Sequence, residues 1–180
     1  MIGHLYVRNV HDVSLIPGRV DDMNDPRWLD EREQRAWRSY LQMHGQLLAR
    51  LNRQLQADSG LSLADYEVLV TLSEVPAGCL RPFELQRGLQ WEQSRLSHQL
   101  RRMEQRGLVS REGCTDDGRG AVVVLTDAGR RAIEAAAPGH VDAVRRLFFD
   151  GLTRDQITML GQLSTQVLNR LGASTECRKP

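Results

Sequence analysis

Between Ser94 and Arg102 the chain reads Ser-Arg-Leu-Ser-His-Gln-Leu-Arg-Arg, nine residues without a carboxylate. Hydroxyl, imidazole and guanidinium groups are hydrogen-bond donors, and arginine forks match phosphate oxygens and guanine edges in pairs. At 3.6 residues per turn, Leu96, Leu100 and Met103 share one stripe, as on a face packed against a core. Ser94, Arg95, His98, Arg101, Arg102 and Gln105 then point the other way. A helix of this kind fits a major groove about 12 Å wide, with its outward N-terminal residues at base edges. Ser94, Arg95 and His98 are placed for bases, and Arg101 and Arg102 for phosphates. A solvated face is the ordinary explanation of a charged helix. The acid-free run, on the second helix of a helix-turn-helix, favours DNA.

A second donor site lies in Asp117-Gly118-Arg119-Gly120, where glycines flank one arginine. Narrow minor grooves attract an inserted arginine by their concentrated negative potential, and Asp116 or Asp117 can steer the guanidinium by a paired hydrogen bond. Taken alone, a solvated turn with a surface ion pair explains this segment equally well. Trp37, Tyr40, Met43 and His44 can line a pocket for a small aromatic molecule, with Arg38 pairing a ligand carboxylate, but core or dimer packing explains the same stripe and is preferred.

His44, His98 and His140 form no cluster at metal-ligand spacing, and no Gly-rich phosphate loop, nucleophile elbow or Ser/His/Asp or Cys/His set occurs. Neither an enzyme nor a bound metal or other cofactor is expected. The three cysteines, Cys79, Cys114 and Cys177, are odd in number and without a CxxC, which argues against a disulfide framework or structural zinc. Cys114 lies near Arg111, where a lowered thiol pKa is conceivable; a small residue ending a strand is the plainer reading.

The elements that must position these groups are mostly helical. Trp37, Tyr40, Leu41, His44, Leu47, Leu48, Leu51 and Leu55 recur at three and four residues within a long helix over 29–56, closed by Gly60. Ser62 and Asp65 resemble a capping box opening a second helix, whose buried face is Tyr66, Leu69, Val70 and Leu72, up to the break at Pro76-Ala77-Gly78. Pro82 suits the first residue of a short third helix over 82–89, and a three- or four-residue turn leads to the Ser94–Arg102 helix. Strand-like runs over 108–112 and 121–125 surround an Asp-Gly hairpin signal. Thr126 caps a long helix through Phe149, kinked at Pro138, with Ile133, Ala137, Val141, Val144 and Phe148 as its stripe. Thr153 and Gln156 cap a last helix carrying Ile157, Leu160, Ser164, Val167 and Leu171 on one side. The fold class is therefore mostly α with a small β-hairpin wing: a winged helix-turn-helix bracketed by long helices.

The chain has 180 residues and a formal net charge of +1, so attraction to nucleic acid must come from local arrangement. Arginine outnumbers lysine 23 to one, which suits phosphate recognition but is more simply a GC-rich coding bias. The first 22 residues form no apolar signal core, and the longest aliphatic run is far too short to span a bilayer. A cytoplasmic protein without membrane contact is expected. The tail before Asp25-Pro26 reads as a flexible arm, or as an upstream start ahead of Met23.

The segment from Ser94 to Glu112, the wing from Asp117 to Arg130, the Ser94-Arg95-Leu96-Ser97 step, Arg106-Gly107-Leu108-Val109, and Leu125-Thr126 followed by Gly129 together resemble the MarR (multiple antibiotic resistance regulator) family of winged helix-turn-helix transcription factors. The resemblance implies that the helix over 92–105, including Ser97, reads the major groove and that Arg119 enters the minor groove. It implies an obligate homodimer formed by the first helix and the last two, with ligand cavities between the dimerisation and DNA-binding parts. The expected organisation is a tail over 1–28 and a regulator unit over 29–171, followed by a tail over 172–180. Within the unit, 61–125 is the winged helix, and 29–60 and 126–171 are dimerisation helices. The expected function is a repressor released from a pseudo-palindromic double-stranded operator by a small phenolic or aromatic ligand. Two alternatives are a winged-helix interaction module without DNA binding and a thiol-based redox regulator. Peroxide sensors of the family typically carry a cysteine in the first long helix, and 30–56 has none.

Overall fold

The computed structural model describes residues 28–113 and 121–176, with only the helical backbone given for 173–176. The hairpin tip with Cys114, Asp116, Asp117 and Arg119 lies outside the described residues, as do the tail over 1–27 and Cys177. The chain divides into two compact units, Met1–Gln46 and Leu47–Pro180.

Helix α1, Glu31–Ser59, contributes to both units. Its start is fixed by a reciprocal pair: Glu33 N–H donates to Asp30 Oδ1 at 2.8 Å, and Asp30 N–H to Glu33 Oε2 at 2.9 Å. It stops at Gly60, whose φ of +68° is a left-handed conformation that a side chain would oppose. In the first unit, Trp37 stacks on Tyr40 with ring centroids 5.6 Å apart, and Tyr40 on His44 at 5.9 Å.

In the second unit α1 buries Leu51 and Leu55, and the rest follows the expected order. Helix α2 is Leu63–Ser73, strand β1 Cys79–Leu80, α3 Pro82–Leu89, α4 Gln93–Gln105, β2 Val109–Gly113 and β3 Ala121–Leu125. Helix α5 is Asp127–Val144, a π-helical turn covers Arg145–Phe149, and α6 is Arg154–Glu176. Leu55, Leu61, Val68, Leu69, Leu72, Leu85, Leu100, Met103 and Val123 are fully buried and belong to one core. Such a core depends on close packing, so each methylene counts.

Three differences from the sequence reading stand out. The sheet has three antiparallel strands in the order β1-β3-β2, because Cys79 and Leu80 pair with Val124 and Val123 on the free edge of β3. Two residues carry no alternation to read, so only the partner strand defines them. The inner side of α5 is Gly129, Ile133, Ala136 and Ala143, whereas Val141 of the expected stripe is exposed. In an alanine-rich helix the apolar stripe is too broad to fix the rotation. Helical bonding continues through Pro138, and the change of geometry comes at Arg145, where five-residue bonding begins and Asp150 N–H donates to Arg145 O at 2.9 Å.

Thr126 caps α5 as expected: Gly129 N–H donates to its Oγ1 at 3.0 Å. The same hydroxyl donates toward Gly107 O at 2.7 Å and Leu108 O at 3.0 Å, tying α5 to the end of α4. The Thr153–Gln156 box opens α6, with bonds of 2.8 and 3.3 Å.

Candidate nucleic-acid interface

Helix α4 is held in place from both ends. Arg81 precedes α3, and its N–H donates to Glu84 Oε2 at 2.8 Å, with Pro82 at the first turn where a missing donor costs nothing. The turn into α4 runs through Gln90 at φ +54°, and Trp91 N–H closes it by donating to Gln86 O at 3.3 Å. At the far end Gly107 adopts φ +69°, while Gly107 N–H donates to Glu104 O at 2.9 Å and Leu108 N–H to Met103 O at 3.0 Å. These are the paired bonds of a Schellman cap. Between the ends, Leu96, Leu100 and Met103 are buried as their spacing predicts.

Ser94, Arg95, Ser97, His98, Arg101 and Arg102 are all exposed, so the structure brings six expected contact residues onto the outer surface of one helix. Ser97 also borders a groove of about 420 Å³ with Arg81, Phe83, Gln93 and Arg111. Arg95 does not extend freely: its guanidinium carbon lies 4.0 Å from the centre of the Trp91 ring, a cation–π arrangement. On α2, burial pushes the Glu67 carboxyl above its ordinary pKa, and the positive charge of Arg95 pulls it the other way.

Beneath this surface lies a polar network that local residue spacing does not reveal. Asp65 and Gln99 are each only 3% exposed. Asp65 is the expected cap partner of Ser62, whose N–H and Oγ–H both donate to Asp65 Oδ2 at 2.8 Å. Its carboxylate also accepts from Gln99 Nε2 at 2.6 Å and from Arg106 Nη1 at 2.7 Å. Arg106 Nη2 donates to Gly60 O at 2.9 Å, and Arg102 Nη2 donates to Gln99 Oε1. One buried carboxylate thus joins the end of α1, the start of α2 and the inner side of α4. In the sequence Asp65 is legible as the cap partner of Ser62, and Gln99 only as a polar residue directly before Leu100.

The expected ligand residues lie elsewhere. Trp37, Tyr40 and His44 are exposed and stacked along α1, and half-buried Arg38 donates from Nη2 to Gln34 Oε1 at 3.2 Å. None of these four lines the groove beside Ser97, nor a second, shallow groove along α6 between Ile157 and Asn169. Cys79 is half-buried on β1 with a free thiol. Among the described residues, no three His, Cys, Asp or Glu side chains gather to hold a metal, and no helix is long and apolar enough to cross a membrane.

The MarR family profile matches residues 59–120, from the end of α1 into the wing. Sco3205 from Streptomyces coelicolor, a MarR family transcriptional regulator solved in complex with DNA, is 44% identical, with 81% of this chain and 92% of that one aligned at a TM-score of 0.76. AbsC from the same organism, also a MarR family transcriptional regulator, is 40% identical over 82% of this chain and 99% of that one, again at 0.76. A cysteine-to-serine mutant of MarR from E. coli, complexed with operator DNA, is 26% identical over 78% of this chain and 99% of its own, at 0.68. No curated protein matches the chain. With identity of 44% over 81% of its length to one such regulator, the chain belongs to the MarR family of winged helix-turn-helix transcriptional regulators.

Proposed function

We propose that this regulator is a homodimer that binds a pseudo-palindromic operator through α4, acts as a repressor, and is released by a small aromatic or phenolic molecule. The observation that carries the DNA part is the exposed face of α4, free of carboxylates from Ser94 to Arg102, with Ser94, Arg95, Ser97 and His98 toward base edges and Arg101 and Arg102 toward phosphates. The DNA complexes of Sco3205 and E. coli MarR support it. Arg119 is assigned to the flanking minor groove, with Asp116 or Asp117 as the carboxylate to steer it. The dimer reading rests on large apolar side chains left in solvent: Trp37, Tyr40 and Met43 on α1, and Met159, Leu163, Val167, Leu168 and Leu171 on α6. The effector reading rests on the stacked rings of Trp37, Tyr40 and His44 on the helix that carries Arg38.

The test is binding of the purified protein to DNA upstream of its own gene, with and without phenolic ligands. Specific binding should need two half-sites about one helical turn apart and should weaken steeply with salt, by a log–log slope of about 0.9 per phosphate neutralised. Equal affinity for one half-site and for the full site contradicts the dimeric reading. A flat salt dependence contradicts the phosphate contacts, and indifference to every phenol tried contradicts the effector class.

A further inference from the structure

We propose that Gln99 is a positioning residue for DNA binding: its amide carries the orientation of the buried Asp65 carboxylate to Arg102 and presets that guanidinium for phosphate. This rests on the reading of α4 as the DNA-facing helix. Gln99 is buried, yet it sits one turn from Arg102 on a helix whose other inward residues are apolar. A leucine or methionine would fill the same space, and a buried amide is tolerated only when both of its ends are partnered.

Both ends are partnered, and in opposite senses. Nε2 donates to Asp65 Oδ1 at 2.6 Å, while Oε1 accepts from Arg102 Nη2. A carboxylate can only accept and a guanidinium can only donate, so the amide has one allowed orientation between them. A glutamate at 99 would set two carboxylates together, and a lysine would set two cations together. Asp65 cannot swing away, because Ser62 and Arg106 hold its other oxygen. Arg102, exposed on the outer side, is therefore anchored through one nitrogen to the core. Its ordering cost is met before DNA arrives, which favours binding without adding a contact.

The test is a double-mutant cycle on the intact protein, read as affinity for operator DNA across a salt series. Arg102→Ala should weaken binding and lower the salt slope by about one. Gln99→Met should weaken binding about 3- to 10-fold in the wild-type background and by less than about twofold once Arg102 is alanine. An equal cost in both backgrounds, or none in wild type, overturns the inference while leaving DNA binding by α4 intact. No effect of Arg102→Ala overturns the inference and the phosphate role of Arg102, while Arg95→Ala tests DNA binding by α4 separately. Should Gln99→Met fail to fold, Arg102→Lys poses the same question from the exposed end. It keeps the charge and loses the fork, so weaker binding at an unchanged salt slope is expected, and wild-type affinity overturns the proposal.

Discussion

Replacing Gly129 with alanine should cost about 3 kcal/mol of folding stability, because the new methyl group has nowhere to go. A Cβ built on Gly129 falls 2.1 Å from Leu108 O and 2.8 Å from Leu125 Cδ1. Leu125 can change rotamer, but the Leu108 carbonyl is backbone. That carbonyl already accepts Thr126 Oγ1–H at 3.0 Å and Thr126 N–H at 3.3 Å. Moving it loosens the cap of α5 and the cap of α4 together. At roughly 2–4 °C per kcal/mol for a chain of this size, the melting temperature should fall by about 6–12 °C. A thermal scan showing no change would mean that α5 does not approach the end of α4 this closely.

The second large effect is expected at Asp65. Changing it to alanine removes the carboxylate half of the capping box at the start of α2, while Ser62 Oγ still accepts from the backbone N–H of residue 65, and it takes one partner each from Gln99 and Arg106, for a total of about 2–3 kcal/mol. The full cost of opening a buried ion pair is not expected, because the Arg106 side chain is 42% exposed and can turn to water. Arg106→Ala, by contrast, leaves the buried Asp65 carboxylate with only the neutral donors of Ser62 and Gln99, so it should cost at least a comparable amount, and the double variant less than the sum. Urea unfolding of the three variants measures this. Additive costs, or a loss within 0.5 kcal/mol for Asp65→Ala, would show that the network does not act as a unit.

These two positions mark where the sequence stops being legible. Local spacing revealed the apolar side of α4, the Ser62, Thr126 and Thr153 caps, and the two strands of the wing, because each signal lies within one or two turns of chain. Asp65 was visible as a cap of Ser62, three residues away, whereas its bonds to Gln99 and Arg106 span 34 and 41 residues. Gly129 matched a family pattern, but its reason is a carbonyl that only the folded chain brings near. Spacing places Arg95 at a base edge, and the folded chain adds the Trp91 ring beneath it. The rotation of α5 stayed ambiguous because alanine suits either side of a helix.

Arg95 tests most directly whether the outer face of α4 reads DNA. Its side chain is exposed and its ring contact with Trp91 is worth only about 0.5–1 kcal/mol, so Arg95→Ala should remain a folded dimer. Fluorescence anisotropy against operator duplexes altered separately in the half-site core and in the flanks should show about 1–3 kcal/mol less discrimination within the core. Arg119→Ala in the same titration should instead flatten any preference for A/T-rich flanks. If both variants keep wild-type affinity and selectivity, the winged helix does not contact DNA in this way and serves as a protein-interaction module.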